Sequence, residues 1–187
     1  MQERLLVIKK LLKSISPDLQ GINAWRYQRQ VSPGIQEFME AISFQHYLRT
    51  QSLIKHDEAS QIISEGIQLT LDDYILGIFD LVGELMRFAI TTMATGGSLP
   101  GTVEADSSSE RTILMDLWSL RAHLEALDAT SSGGTGLGKD IEKKMEVMKT
   151  CVNKVETAAY GMTIRGREKP KGWVPDASDD QRSIESY

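Results

Sequence analysis

Apolar residues recur along this chain at the three- and four-residue spacings of helices, and no run alternates with the period of two that a half-buried strand requires. Residues 2–13 carry Leu5, Leu6, Ile8, Leu11 and Leu12 at such spacings, and the stretch from Ser14 to Pro17 stops them. A second helix is predicted from near Asp18 through Trp25, Arg26, Tyr27 and Arg29. Pro33 has no amide hydrogen and crowds the carbonyl four residues back, so it is expected to kink that helix or start a new one over 34–54. Residues 56–65 read as a short helix. Thr70, followed by Asp72 and Asp73, has the chemistry of an N-cap for a long helix reaching Met93. Glycines, serines and Pro100 mark 94–109 as a loop, and SSGGTGLG at 131–138 as a flexible connection. Helices are expected over 110–127 and 139–164. The pattern predicts an all-α helical bundle in one domain, 1–166, followed by a polar, flexible tail, 167–187.

Composition narrows the class. Of the 187 residues, 41% are hydrophobic and 25% charged, which suits a globular domain with a sizeable core. No stretch is apolar enough to span a membrane, and the N-terminus lacks a secretory apolar segment. A single cysteine, Cys151, excludes an internal disulfide framework and a clustered zinc site, and suits a reducing compartment. The net charge of −5 has the wrong sign for a chain that binds nucleic acid over its whole surface, so such binding needs a local basic patch or a partner.

Four acids break the pattern. The segment 35–48, IQEFMEAISFQHYL, is apolar on most sides, yet Glu37 and Glu40 share one face, together with Ala41, Phe44 and Leu48. The segment 74–90, YILGIFDLVGELMRFAI, has Asp80, Glu84 and Arg87 as its only charges, stacked on one stripe. Asp73 and Gly77 extend that stripe backwards, and a glycine there lets a second helix approach closely. If the two stripes face each other, four carboxylates converge, and such groups must pair with cations, protonate or bind metal. Oxygen-only ligands favour Mg²⁺ or Mn²⁺, a familiar device for cleaving phosphodiesters. Arg87 beside Glu84 and Asp80 leaves plain structural ion pairing open. A di-iron bundle site needs Glu-x-x-His pairs, which Ser43 and Arg87 at the matching positions do not supply.

These segments resemble the translin family, and within it the branch of translin-associated factor X (TRAX). The resemblance rests on the run from Gly34 to Tyr47 with Arg49-Thr-Gln-Ser-Leu-Ile54, on Asp73-Tyr-x-x-Gly-x-x-Asp-Leu-x-Gly-Glu-Leu-Met-Arg87, and on Lys154–Tyr160 with Arg165-Gly166. It covers most of 20–170 and implies a translin-like all-α bundle. It also implies the catalytic subunit of a Mg²⁺-dependent endoribonuclease on single-stranded RNA, with Mn²⁺ able to substitute. Assembly with translin into a closed hetero-oligomer, octameric in the family, and localisation in cytoplasm and nucleus follow from the same resemblance. The family's catalytic and metal-binding acids fall on Glu37, Glu40, Asp80 and Glu84, all retained here, whereas translin lacks acids at the positions of Glu37, Glu40 and Asp80. The resemblance leaves the family's N-terminal helix unmatched, whether absent or outside this sequence, and implies a loop over 64–71 shorter than in animal relatives. Rival readings are a non-catalytic subunit binding single-stranded RNA or DNA, and a helical scaffold of the same oligomer.

Smaller features stand beside these. Trp25-Arg-Tyr-Gln-Arg29 interleaves aromatics and cations as single-strand binders do, and Arg26 and Arg29 are the first candidates for RNA contact, against a plain solvated face. Arg165, Arg167, Lys169 and Lys171 form a second basic cluster, more readily a solvated tail. Lys143, Lys144, Lys149 and Lys154 alternate with acids and read as solvated surface. Gly133–Asp140 mimics a phosphate-binding loop, but Asp140 replaces the required hydroxyl and a helix rather than a strand precedes it. His46 reads as a core histidine or a substrate contact. Neither it nor His56 or His123 has the partners of a nucleophilic triad.

Overall fold

A computed structural model describes residues 2–63, 66–102, 111–127 and 137–168. The proposed flexible tail beyond Glu168, most of the glycine-rich connection with its phosphate-loop mimic, and part of the 94–109 loop lie outside the described residues. Helix α1 spans Gln2–Ile15, and a single 3-10 turn, Ser16–Leu19, follows with Pro17 at its start. Then come α2, Ile22–Thr50; α3, His56–Ile62; α4, Leu71–Gly96; α5, Ile113–Glu125; and α6, Leu137–Glu168. The all-α expectation holds. Among the described residues its one exception is a two-residue antiparallel ladder, β1 (Gly101–Thr102) with β2 (Arg111–Thr112).

Helix α4 is the centre of the bundle and packs against both α2 and α6. Ten of its residues are buried, among them Leu76, Phe79, Leu81, Val82, Leu85 and Met93, facing Ile35, Phe38 and Met39 of α2 and Met148, Val152 and Val155 of α6. Burial of each such side chain is worth roughly 1.5–3 kcal/mol. Thr70 caps α4 as expected, its hydroxyl accepting from the Asp73 amide at 3.1 Å. At the other end Gly97 turns into the left-handed region (φ 67°), and its amide donates to Met93 O.

The α2–α4 contact is close because of one glycine. A Cβ on Gly77 would stand 2.6 Å from Cβ of Met39 and 3.3 Å from the Gln36 carbonyl oxygen. Residues that meet increase in number together, Asp73 with Ser32 and Phe88 with Phe44, so α2 and α4 run in the same direction. The intervening 51–70, including α3, returns the chain to the starting end.

Pro33 starts no new helix: α2 is continuous from Ile22 to Thr50 with the proline inside it. A proline inside a helix costs about 3 kcal/mol, and the buried carboxylate of Asp73 opposes that cost from α4. Asp73 is 2% exposed. It accepts from Ser32 and Gln28 (2.8 Å), before or at the turn of the proline, and from Gln36 (3.1 Å) beyond it, with Thr70 Oγ1 at 2.7 Å besides. Hydrogen bonds to a charged group are worth about 1.5–3 kcal/mol each, so this staple is large enough to carry the helix through.

Other boundaries shift modestly. Asp18 belongs to the 3-10 turn rather than to α2, and α2 ends at Thr50, where Gln51 adopts φ 51°. Residues 111–112 are not helical. Arg111 instead pairs with Asp116 (2.7 Å) and donates to the Gln51 carbonyl (2.9 Å), while Tyr47 donates to the same aspartate at 2.7 Å. The last helix runs past the expected 164 to Glu168, so the backbone at Arg165 and Arg167 is helical rather than tail-like.

Candidate functional site

Glu37 and Glu40 sit one turn apart on α2, and Asp80 and Glu84 one turn apart on α4. Parallel packing pinned at Asp73 and Gly77 slides these two pairs alongside each other. Glu40 meets Glu84, against which its protonated form can hydrogen-bond, and also feels the charges of Asp80 and Glu37. Its pKa is raised from 4.5 to about 7, by burial first, then by repulsion from Glu84, Asp80 and Glu37 in that order. Phe44 and Phe88 meet edge to face with centroids 6.1 Å apart, one turn beyond, and close that end of the stripe. Glu37 is exposed, and Glu40, Asp80 and Glu84 are half-buried.

Two cations stand against the acids. Arg87 pairs with Glu84, as the spacing allowed. The other is Lys144 of α6, whose Nζ donates to both oxygens of Asp80, at 2.6 Å to Oδ2. This corrects the reading of Lys144 as solvated surface. The signal was available: Lys144 lies three residues after Ile141 and four before Met148, both buried, so helical spacing puts it on the packed seam of α6. Among the described residues, no group of three or more His, Cys, Asp or Glu side chains is arranged as a finished metal-ligand set. The orientations present serve the two cations instead.

The chemistry of the donor set nevertheless fits a hard divalent ion. All four groups are oxygen ligands, and they come from two helices. The pKa of Glu40, raised by burial first, is raised further by the negative charges of Glu84, Asp80 and Glu37, which a cation would offset. Glu37, Glu40, Asp80 and Glu84 are the residues that would hold it, once Asp80 turns from Lys144.

Arg26 and Arg29 are exposed on the N-terminal part of α2. Each lies three helical turns before an acid, Arg26 before Glu37 and Arg29 before Glu40, and so shares its face at roughly 16 Å along the axis. Trp25, 83% exposed, is their neighbour. It also lines a cleft of about 660 Å³ with Gln28, Val31, Gly66 and Thr70, which opens there and not at the acids. His46 is half-buried with Nε2 3.2 Å from Ser52 Oγ, away from the four acids. Cys151 is buried, and burial pushes its thiol pKa up, as expected of a packing residue.

Sequence comparison bears on this arrangement. The Translin family model matches residues 1–166. The chain is 28% identical over 193 aligned positions to Translin-associated protein X of Rattus norvegicus, covering 90% of this chain and 61% of that protein. It is 26% identical over 162 positions to the Translin-associated protein X homolog of Schizosaccharomyces pombe, covering 87% and 63%. Translin of Gallus gallus is 21% identical over 174 positions, covering 90% and 69%. The chain therefore spans less than two thirds of the length of the Translin-associated protein X relatives named here. With a family match across nearly the whole described bundle and higher identity to the Translin-associated protein X members than to Translin, this chain belongs to the Translin family.

Proposed function

We propose that this chain is the catalytic subunit of a translin–TRAX-type endoribonuclease, hydrolysing phosphodiester bonds of single-stranded RNA with Mg²⁺, for which Mn²⁺ can substitute. The observation that carries the proposal is the meeting of the α2 and α4 acid pairs, where burial first, and then the charges of Glu84, Asp80 and Glu37, push the pKa of the Glu40 carboxyl up to about 7. Lys144 and Arg87 bring two positive charges to four acids, fewer than the four carboxylates can carry, so room is left for a further cation. A divalent ion there would polarise the phosphate and make hydroxide available near neutral pH. Glu37, Glu40, Asp80 and Glu84 would hold it by their oxygens. Arg26 and Arg29, on the same helical face, would bind backbone phosphates of the strand, and Trp25 would stack a base. Water-driven hydrolysis leaves a 5′-phosphate and a 3′-hydroxyl. Assembly with translin belongs to the same proposal, supported by family membership and by apolar surface left open on the described residues: Leu6, Val7, Leu11 and Ile22 are all more than half exposed.

The test is cleavage of a labelled single-stranded RNA by the assembled complex. Asp80→Asn keeps the shape and removes the charge. It is expected to abolish Mg²⁺-dependent cleavage while leaving RNA binding in place. Cleavage at the parent rate by a folded Asp80→Asn protein would refute the assignment. Absence of any metal-dependent cleavage in the parent would favour a binding-only subunit.

A further inference from the structure

Lys144 is an unusual residue for its position. It lies on the face of α6 that packs against α4, between buried Ile141 and Met148. Its aliphatic stem can follow that apolar seam while its ammonium reaches the acids. The Nζ donates to both oxygens of Asp80, so each already serves the lysine. The lysine is also far better sheltered than the neighbouring cation: the Lys144 side chain is 26% exposed, against 72% for Arg87, while Asp80 and Glu84 are alike at 34% and 27%.

We infer that Lys144 is the built-in counter-ion of the acid cluster, holding Asp80 in the metal-free chain, and that a divalent cation must displace it to gain Asp80 as a ligand. The inference rests on the metal reading of this site. Four acids with no cation from α6 would repel one another across the α2–α4 contact, so the lysine stabilises the empty fold. A divalent ion carries twice its charge and serves several carboxylates at once, which lets it win the exchange. Lysine suits the role better than arginine would. Its ammonium is a compact point charge on a flexible stem and can withdraw without breaking a planar two-pronged contact. The lysine thereby sets how much free Mg²⁺ the site requires.

The experiment measures Mn²⁺ binding to the full 187-residue chain, following the resonance of free Mn²⁺, with thermal melts in chelator and in saturating Mn²⁺. Lys144→Gln is expected to bind Mn²⁺ about tenfold more tightly, because its competitor is gone. It should melt below the parent in chelator, and the gap should close in saturating Mn²⁺. A lysine that only supports the fold would leave the gap equal in both conditions. If Lys144→Gln does not fold, Lys144→Met keeps the apolar stem and is read the same way. Lys144→Arg retains the charge and should bind Mn²⁺ no more tightly than the parent; tighter binding would contradict the inference. Unchanged or weaker Mn²⁺ affinity in the neutral variants overturns it, even where the parent binds Mn²⁺ and Asp80→Asn does not. If parent and Asp80→Asn alike bind no Mn²⁺, the metal reading falls and takes this inference with it.

Discussion

At Gly77 the absence of a single methyl group decides how closely two helices pack. Adding it in Gly77→Ala puts Cβ 2.6 Å from that of Met39. Overpacking of this kind is expected to destabilise by about 1–3 kcal/mol. Gly83→Ala, on the same helix with nothing within 4 Å of the new methyl, should instead stabilise by up to about 1 kcal/mol. Opposite shifts in melting temperature check the pair, and equal shifts would contradict the close contact. The role of Gly77 was legible from its place on the acid stripe. That of Asp73 was not: the same stripe contains it, yet Asp73 is a structural staple and Asp80 and Glu84 are candidate ligands. Periodicity gives the face of a helix but not what stands opposite it, and here Gln28, Ser32 and Gln36 do. Asp73→Ala would leave those partners unpaired and is expected to cost about 3 kcal/mol or more.

At the scale of elements, the pairing of α2 with α4 has a consequence in pH. The pKa of Glu40 is about 7 in the folded chain and 4.5 in a solvated glutamate. Between those values the native state holds a proton that the unfolded chain has released, so this group makes stability fall as pH rises through the window. Metal-free protein in chelator should therefore lose melting temperature from about pH 5 to about pH 7.5, and Glu40→Gln should flatten that slope. An unchanged slope in the variant would place its origin elsewhere. Helix positions were largely visible in the sequence because apolar spacing is strong over 71–96 and 139–164. Pro33 was misleading because its penalty is local, whereas the Asp73 hydrogen bonds that oppose it come from forty residues downstream. Removing the proline tests this: Pro33→Ala should raise the melting temperature, since its ring is exposed and no core contact is lost. The β1–β2 ladder left no trace because two residues per strand carry no periodicity.

Over the whole molecule, charge is separated along one face of α2, with the exposed Arg26 and Arg29 toward one end and Glu37 and Glu40 about three turns further on. A chain of net charge −5 that binds RNA must do so through such local separation. Arg26→Ala with Arg29→Ala should weaken RNA binding by the complex and reduce its salt slope by about 2, leaving Mn²⁺ affinity unchanged. Equal salt slopes would remove these residues from the RNA path. The family, the convergence of acidic stripes and the place of Arg87 beside Glu84 could be read from motifs and spacing. Helical spacing also puts Lys144 on the packed seam of α6, but that it meets Asp80 could not be read, since that depends on how α6 docks. The central claim is that Glu37, Glu40, Asp80 and Glu84 form a single divalent site. A crystal soaked in Mn²⁺ and measured at the manganese absorption edge tests it most directly. The account predicts an anomalous peak bounded by these four carboxylates, at about 2.0–2.3 Å from their oxygens, with Lys144 turned away from Asp80. A peak elsewhere, or none while the Lys144–Asp80 pair persists under saturating Mn²⁺, would contradict it.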